Sequence, residues 1–544
     1  MTQKNILFIM LDQLRADALS CYGNPVLDTP NIDRLANQGV KFNRCYVQGT
    51  SCGNSRASYY TGRHVRSHGA TWNGWPNRLD ELTLADHLAA CDMSTYLMGK
   101  THMKPDIAGM NRLGIEPQSE LGRFLSNAGF GQGEHDDGLH TVGVAGGYGT
   151  GTPAYFEYLR KHGYAAKNPW VTHANAMQDE HGILRNGMFL KYGHLPARVD
   201  KVHSETAYTT DRAIEMIQHM GPQNWCLHVS YIKPHWPLAA PAPYHQMYRG
   251  MDLPQASKCA FQKINAHPIY QAFMDLPQSQ TYAQDDYRNH ALPTYYGLIK
   301  EIDDNLGRLF ESLEQQGQSQ HTMIVLTSDH GDFFGDHWLA EKDLFHDVVT
   351  RVPLLIMDPS PTADVSRGIA CDDLVCAIDL VPTFVEWAGG EPQWHWLEGQ
   401  SLLPILHQTA IIDRACVVSE CDYGVMNFAQ DLGRSMHNAR MTMLYDGRYK
   451  YVHCLGFNPM LFDLQEDPQE FSDLGTDPGY SAIRGQLSEQ MLDWSAGLKN
   501  RVTVCKETFG KQLNKAEKVG ILIGYWHQED VPQGEQLEPE VPPH

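Results

Sequence analysis

The chain lacks a long apolar segment at its start. M-T-Q-K-N-I-L-F-I-M-L-D carries an apolar run of only six residues before Asp12, too short to span a bilayer and without a signal-peptide cleavage region, so it reads as a strand. Positive charge is also scarce. With 43 lysines and arginines against 64 aspartates and glutamates the net charge is -21, which argues against nucleic acid and membrane surfaces as partners and makes any cationic site a local one. A regular cysteine framework is missing too. Twelve cysteines in a chain with no export signal fit reduced thiols in the cytoplasm, not disulfides. Cys371/Cys376 and Cys416/Cys421 repeat one spacing, but the second pair falls in a strand-like run, where positions five apart face opposite sides and share no ion. The run from Gly143 to Gly151 has no strand before it and no amphipathic helix after it, and reads as a loop instead of a phosphate cradle.

At 544 residues the chain exceeds what one hydrophobic core organises. Up to about Leu406, apolar runs ending in turn residues alternate with helical patterns. That is the signature of an α/β fold, a large and mostly parallel mixed sheet sandwiched by helices. Candidate strands are Asn5 to Leu11, Ser94 to Met98, Trp225 to Ile232, Thr322 to Thr327 and Val352 to Met357; candidate helices lie around Glu205 to Met220 and Tyr295 to Gln315. In T-P-N-I-D-R-L-A-N-Q-G, Thr29 reads as the N-cap, Pro30 as the first helical residue, and Gly39 as a left-handed C-terminal stop. From about 105 to 200 the chain turns rich in Gly, His and Asn with weak periodicity, an insertion of the kind that shapes a pocket. Residues 1–406 are therefore assigned to one large α/β unit. Residues 407–474 read as a smaller antiparallel α+β unit, with Asp446-Gly447 closing a hairpin. Residues 475–544 read as a tail with one helix, Ile483 to Ala496, and an acidic, proline-rich end. The apolar piece from Val519 to Trp526 suits an arm laid on a second copy, so a dimer is expected.

In an open sheet, ligands bind outside the carboxyl ends of the strands. Chemistry-bearing residues follow four of them here: Asp12-Gln13, Lys100-Thr101-His102, His235, and Asp329-His330. Two carboxylates with a histidine can hold a divalent cation, and lysines can hold an anion against it. The stretch T-S-C-G-N-S-R-A-S-Y-Y-T-G-R adds Cys52 and Arg56. If a helix begins at Cys52, Arg56 lies one turn on, on the same face, near a helix N-terminus that favours anions. Singly, Asp12 caps a turn, Lys342 is a surface lysine and His235 a structural histidine; their convergence favours a site. His64, His68, Asp336, His337 and His346 receive no role beyond pocket lining.

The ordered set N-I-L-F-I-M-L-D, T-P-N-I-D-R-L-A-N-Q-G-V-K-F, S-C-G-N-S-R-A-S-Y-Y-T-G-R, G-K-T-H, K-P-H-W-P, S-D-H-G-D and R-V-P-L-L-I resembles the sulfatase branch of the alkaline phosphatase superfamily, which includes phosphonate monoester and phosphodiester hydrolases. The resemblance covers most of the chain. It implies that Cys52 is oxidised to formylglycine by a formylglycine-generating enzyme and that the hydrated aldehyde is the nucleophile. It implies Asp12, Asp329, His330 and the modified Cys52 as metal ligands, and Arg56, Lys100, His102, His235 and Lys342 beside Cys52 as catalytic groups. Gln13, Asn73 and Thr101 are implied substrate contacts. Three positions depart from the pattern: Gln13 where many sulfatases carry a second aspartate, His330 where many carry asparagine, and Asn54 where the modification motif usually has proline. An amide for a carboxylate and an imidazole for an oxygen ligand move the site from calcium's oxygen cage toward manganese, with zinc and magnesium as further candidates.

The expected activity is hydrolysis of singly charged small-molecule esters, sulfate monoesters first and phosphonate monoesters or phosphodiesters second. Two rivals stand beside it. A two-metal phosphodiesterase needs a second cluster, commonly Asp-x-x-x-His, where this chain has Tyr231 to His235. A non-catalytic anion-binding protein would keep Cys52 as a thiol.

Overall fold

The computed structural model describes residues 3–130, 132–138, 153–264, 266–513, 515 and 519–531. The glycine-rich run from Gly143 to Gly151 and the acidic end of the tail lie outside the described residues.

A nine-stranded sheet forms the centre. Its strands are β1 (Asn5–Asp12), β2 (Val40–Tyr46), β3 (Ser94–Gly99) and β4 (Gln132–His135), then, after a small hairpin of β5 (Ala176–Gln178) and β6 (Leu184–Asn186), β7 (Trp225–Pro234), β8 (Thr322–Ser328), β9 (Arg351–Met357), β10 (Ile369–Cys371) and β11 (Val375–Cys376). The order is β10-β2-β9-β8-β1-β7-β3-β4, with β11 beside β2, and β9 alone runs against the others. The unbroken apolar run of β1 follows from its central place. Leu7, Ile9 and Leu11 enter one core cluster while Ile6, Phe8 and Met10 enter another, so helices cover both faces.

The first helix, α1 (Pro30–Gln38), ends differently from the expectation. Gly39 is extended (φ -131°) and not left-handed, because the chain runs straight into β2. A Cβ there would lie 2.2 Å from the Ile356 carbonyl oxygen, so the glycine serves the close approach of β2 to β9. Thr29 makes no side-chain cap either; its hydroxyl pairs with Ser20 Oγ at 2.5 Å. The helix expected from Tyr295 begins at Asp285 and continues through Pro293 to Gln315. The insertion also contributes β4, a strand that weak periodicity concealed and that pairs parallel to β3 at the sheet edge.

A second, antiparallel sheet follows: β12 (Val417–Asp422), β13 (Arg440–Tyr445), β14 (Tyr449–Cys454) and β15 (Met460–Asp463). The β13–β14 turn is at Asp446-Gly447, where Asp446 Oδ1 accepts from the N–H groups of Arg448 and Tyr449 and Gly447 has φ 103°. One face of this sheet shares a core with Tyr46, Phe345 and Val349 of the larger unit. The helix Ser481–Gly497 covers the other face, with Leu487 and Met491 against Val418, Leu444 and Leu461. Beyond it Ile523 and Trp526 are exposed. All twelve cysteines are unpaired, and among the described residues no helix is long and apolar enough to cross a membrane.

Candidate active site

Four strand ends and one helix start meet at a single buried point. β1 delivers Asp12 and Gln13, β3 is followed by Lys100 to His102, β7 by His235, and β8 by Asp329 and His330. The helix α2 (Cys52–Thr61) begins at the cysteine. Its start is held by Asn54, whose Oδ1 accepts from the Ser51 N–H at 2.9 Å. Asn54, the residue that departs from the modification motif, thus holds the turn that presents Cys52. Gln13 (φ 63°) and His102 (φ 57°) are both left-handed, a conformation costing roughly 1–2 kcal/mol for a side-chain-bearing residue. Each is held by a buried carboxylate: the Gln13 N–H donates to Asp329 Oδ1 at 3.0 Å and the His102 N–H to Asp137 Oδ1 at 2.8 Å.

Ligand atoms of Asp12, Cys52, Asp329 and His330 all lie within 4.8 Å of one another, and all four residues are buried. Donors around one cation at about 2.0–2.6 Å span such a distance, so the set fits a divalent ion. His330 has a defined ring orientation. Its Nδ1–H donates to the Gly331 carbonyl at 2.8 Å, which leaves Nε2 facing Cys52 Sγ at 3.1 Å. Arg56, expected to grip an anion, is spent on the protein. Its guanidinium donates to Asp329 Oδ2 (2.8 Å), Asp12 Oδ2 (3.1 Å), the Lys100 carbonyl (2.8 Å) and Ser230 Oγ (2.7 Å). With 0 % of its surface exposed it balances two buried carboxylates, and breaking such a pairing costs about 3–5 kcal/mol.

The cationic heads left for a ligand are lysines. Lys100 Nζ is 2.5 Å from Asp12 Oδ2 but makes no well-directed hydrogen bond. Lys342 Nζ lies 3.2 Å from Gln13 Oε1 and 3.3 Å from His235 Nε2. His235 Nδ1–H donates to the Trp236 carbonyl at 2.7 Å, so Nε2 is free to accept from Lys342. Burial together with Lys342 pushes the His235 pKa down. Burial also opposes charge on Cys52, yet Lys100, Lys342 and His330 outweigh it and hold the thiol well below its ordinary pKa. At Asp12, burial and the Cys52 thiolate push upward, but Lys100, His235 and Arg56 bring the carboxyl down to about 2. This is a place arranged for a nucleophile that bears negative charge.

Two expected substrate contacts are engaged elsewhere. Thr101 Oγ1 pairs with His135 Nε2 at 3.1 Å, and Asn73 Oδ1 accepts from the Gly53 N–H at 2.7 Å, bracing the start of α2. His68, left without a role in the sequence reading, pairs with Ser58 Oγ. Three acidic residues escaped sequence reasoning. Asp137 accepts from the N–H groups of Thr101 and His102 and from His135 Nε2. Asp332 accepts from Gln13 Nε2 at 2.5 Å, and Asp343 is buried beside Lys342 with its carboxyl pushed up to about 7 by burial. For Asp332 a signal was present in the run S-D-H-G-D, whose second aspartate it is. Asp137 and Asp343 stand in no comparable motif.

A model of the sulfatase family matches residues 4–390, and one for the N-sulphoglucosamine sulphohydrolase C-terminal region matches residues 335–497. A multifunctional alkaline phosphatase superfamily protein of Trinickia caryophylli, PehA, is 31% identical over 91% of this chain and 95% of its own length. An arylsulfatase of Clostridium perfringens is 25% identical over 96% of this chain and 98% of its own. Among solved structures, a phosphonate monoester hydrolase from Silicibacter pomeroyi superposes with a TM-score of 0.80 at 28% identity, covering 93% of this chain and 97% of that one.

Proposed function

The chain belongs to the sulfatase family, and from that premise we propose that it hydrolyses singly charged esters, sulfate monoesters of the arylsulfatase type first, through a formylglycine made from Cys52 beside one divalent cation. The observation that carries this reading is the buried set of Asp12, Cys52, Asp329 and His330, with Lys100 against Asp12 and Lys342 against Gln13 and His235. Asp12, Asp329, His330 and residue 52 would hold the cation, manganese by ligand softness, and when bound it lowers the pKa of a hydroxyl and offsets charge on ester oxygens.

The protein's own groups then divide the work. Lys100 and Lys342 hold the anionic ester, and Arg56 keeps both carboxylates ionised and in place. Residue 52 attacks in line as the alcohol oxygen leaves from the opposite side, with its proton supplied through Lys342 and His235, which already share a hydrogen bond. His102 would take the proton of the remaining hydroxyl, whose oxygen closes to the aldehyde as the carbon–oxygen bond to the acid product breaks, and water then rehydrates the aldehyde. Because Cys52 is 1 % exposed, a formylglycine-generating enzyme has to reach it before the fold closes. The two-metal rival finds less support: Tyr231, at the position that would need an aspartate, spends its hydroxyl on Thr210 Oγ1 at 2.8 Å. Unpaired cysteines support a cytoplasmic location, and the exposed Ile523 and Trp526 support a dimer.

A second reading, hydrolysis of phosphonate monoesters or phosphodiesters by the same residues, is favoured by the likeness to the phosphonate monoester hydrolase and by the neutral Gln13 in place of a carboxylate. The test of the shared chemistry is peptide mass spectrometry of residue 52 in protein that turns over an ester, combined with Cys52→Ser. The aldehyde mass and loss of most turnover in the variant are expected; thiol alone in active protein, or full activity of the variant, contradicts the aldehyde route.

A further inference from the structure

A second space lies near the reacting centre, although none of the residues assigned there lines it. It is a cavity of about 760 Å³ whose lining includes Trp236 and Glu341, the residues next in sequence to His235 and Lys342. Glu341 stands at the junction. Its Oε2 accepts from Trp236 Nε1 at 2.8 Å and lies 3.6 Å from Lys342 Nζ, the ammonium that also reaches His235 and Gln13. The remaining wall is largely apolar and comes from distant parts of the chain: Met188 and Phe189 from the insertion, Leu238 from just beyond β7, and Tyr287 from the helix Asp285–Gln315. Phe189 is 61 % exposed and Tyr287 51 %, so two large rings in this wall keep much of their surface open.

We propose that this cavity is the leaving-group subsite and that it takes a neutral aromatic alcohol larger than a single ring. The proposal rests on the ester-hydrolase reading above and names its substrate class. An alcohol leaving beside Lys342 has Glu341 and Trp236 as its next neighbours, and the indole offers a face for an aromatic ring to stack on. A second anionic group would meet Glu341 and Asp286, with Lys191 as the lysine of the lining. The volume lies within the range of small-molecule sites and exceeds what a phenyl ring fills.

Two measurements on the full chain separate this subsite from the catalytic reading. Saturation-transfer NMR with 2-naphthol reads binding without turnover. The ratio of kcat/KM for 2-naphthyl and phenyl sulfate, with the matching phenylphosphonate esters in parallel, reads the subsite during turnover. The wild-type protein is expected to bind 2-naphthol and to favour the naphthyl ester by about tenfold, mainly through KM. Phe189→Ala/Tyr287→Ala is expected to lose the binding and most of that preference, whereas Ile411→Ala, at a site 79 % exposed outside the cavity lining, keeps both. Equal rates for the two rings, or a double variant that keeps the preference, overturns the subsite. If 2-naphthol binds and the double variant abolishes it, while no ester is hydrolysed, the subsite stands and the hydrolase reading fails.

Discussion

Asp12 and Asp329 can share one buried point because Arg56 donates to both and Lys100 stands beside the first. That arrangement is the ground for proposing a single ion there. Elemental analysis is expected to find one manganese per chain, lost in His330→Ala; two ions per chain would favour the two-metal rival, and a single calcium would contradict the argument from His330 and Gln13. Asp137 is the residue through which the insertion reaches the centre. Without its carboxylate the N–H of left-handed His102 loses its partner, and a buried donor left unpaired costs about 1–3 kcal/mol. Asp137→Ala is therefore expected to lower kcat by about tenfold or more, with Asp137→Asn recovering part of it because one acceptor oxygen remains; unchanged steady-state rates in the alanine variant would refute the role. Asp12, Cys52, Asp329 and His330 were legible in the sequence because each directly follows a strand or opens a helix. Asp137 was not, since it acts through backbone N–H groups far from it in the chain.

At the scale of elements, the strands were readable from their apolar runs, but what neighbours them was not. Gly39 looked like a helix stop and is a point of contact between strands, and the helix expected from Tyr295 begins at Asp285 and runs on through Pro293. Short-range pattern reports local propensity, whereas these positions are decided by packing against residues elsewhere. The same long helix carries a buried acid, Glu301, whose carboxyl is pushed up to about 7 by burial, against Ser204 and Lys233, which favour its charge. A carboxyl held above its unfolded value keeps its proton in the fold after the unfolded chain has released it. Its contribution is complete below the ordinary value of 4.5 and is lost as the pH rises through about 7. Glu301→Gln is expected to raise Tm relative to wild type increasingly from acid to mildly alkaline pH, by an amount on the order of 1–3 kcal/mol in stability. A gap that stays constant across that range would contradict the assignment.

At the scale of the whole molecule, nine strands, an insertion and a C-terminal sheet surround one compact set of charges in a protein of net charge -21. In such a protein Lys100 and Lys342 supply positive charge locally at the cluster. The positive charge available there suits an ester with one negative charge, while a phosphate monoester approaches two and calls for more. The sheet's topology was legible as a class, but the pocket was not, because its wall joins Phe189, Trp236 and Tyr287 from three separate stretches. One comparison tests the central claim most directly: kcat/KM of the metal-loaded enzyme for matched aryl sulfate, arylphosphonate monoester, phosphodiester and phosphate monoester substrates. The singly charged esters are expected to lead, with the sulfate first; a preference for the phosphate monoester would contradict that claim.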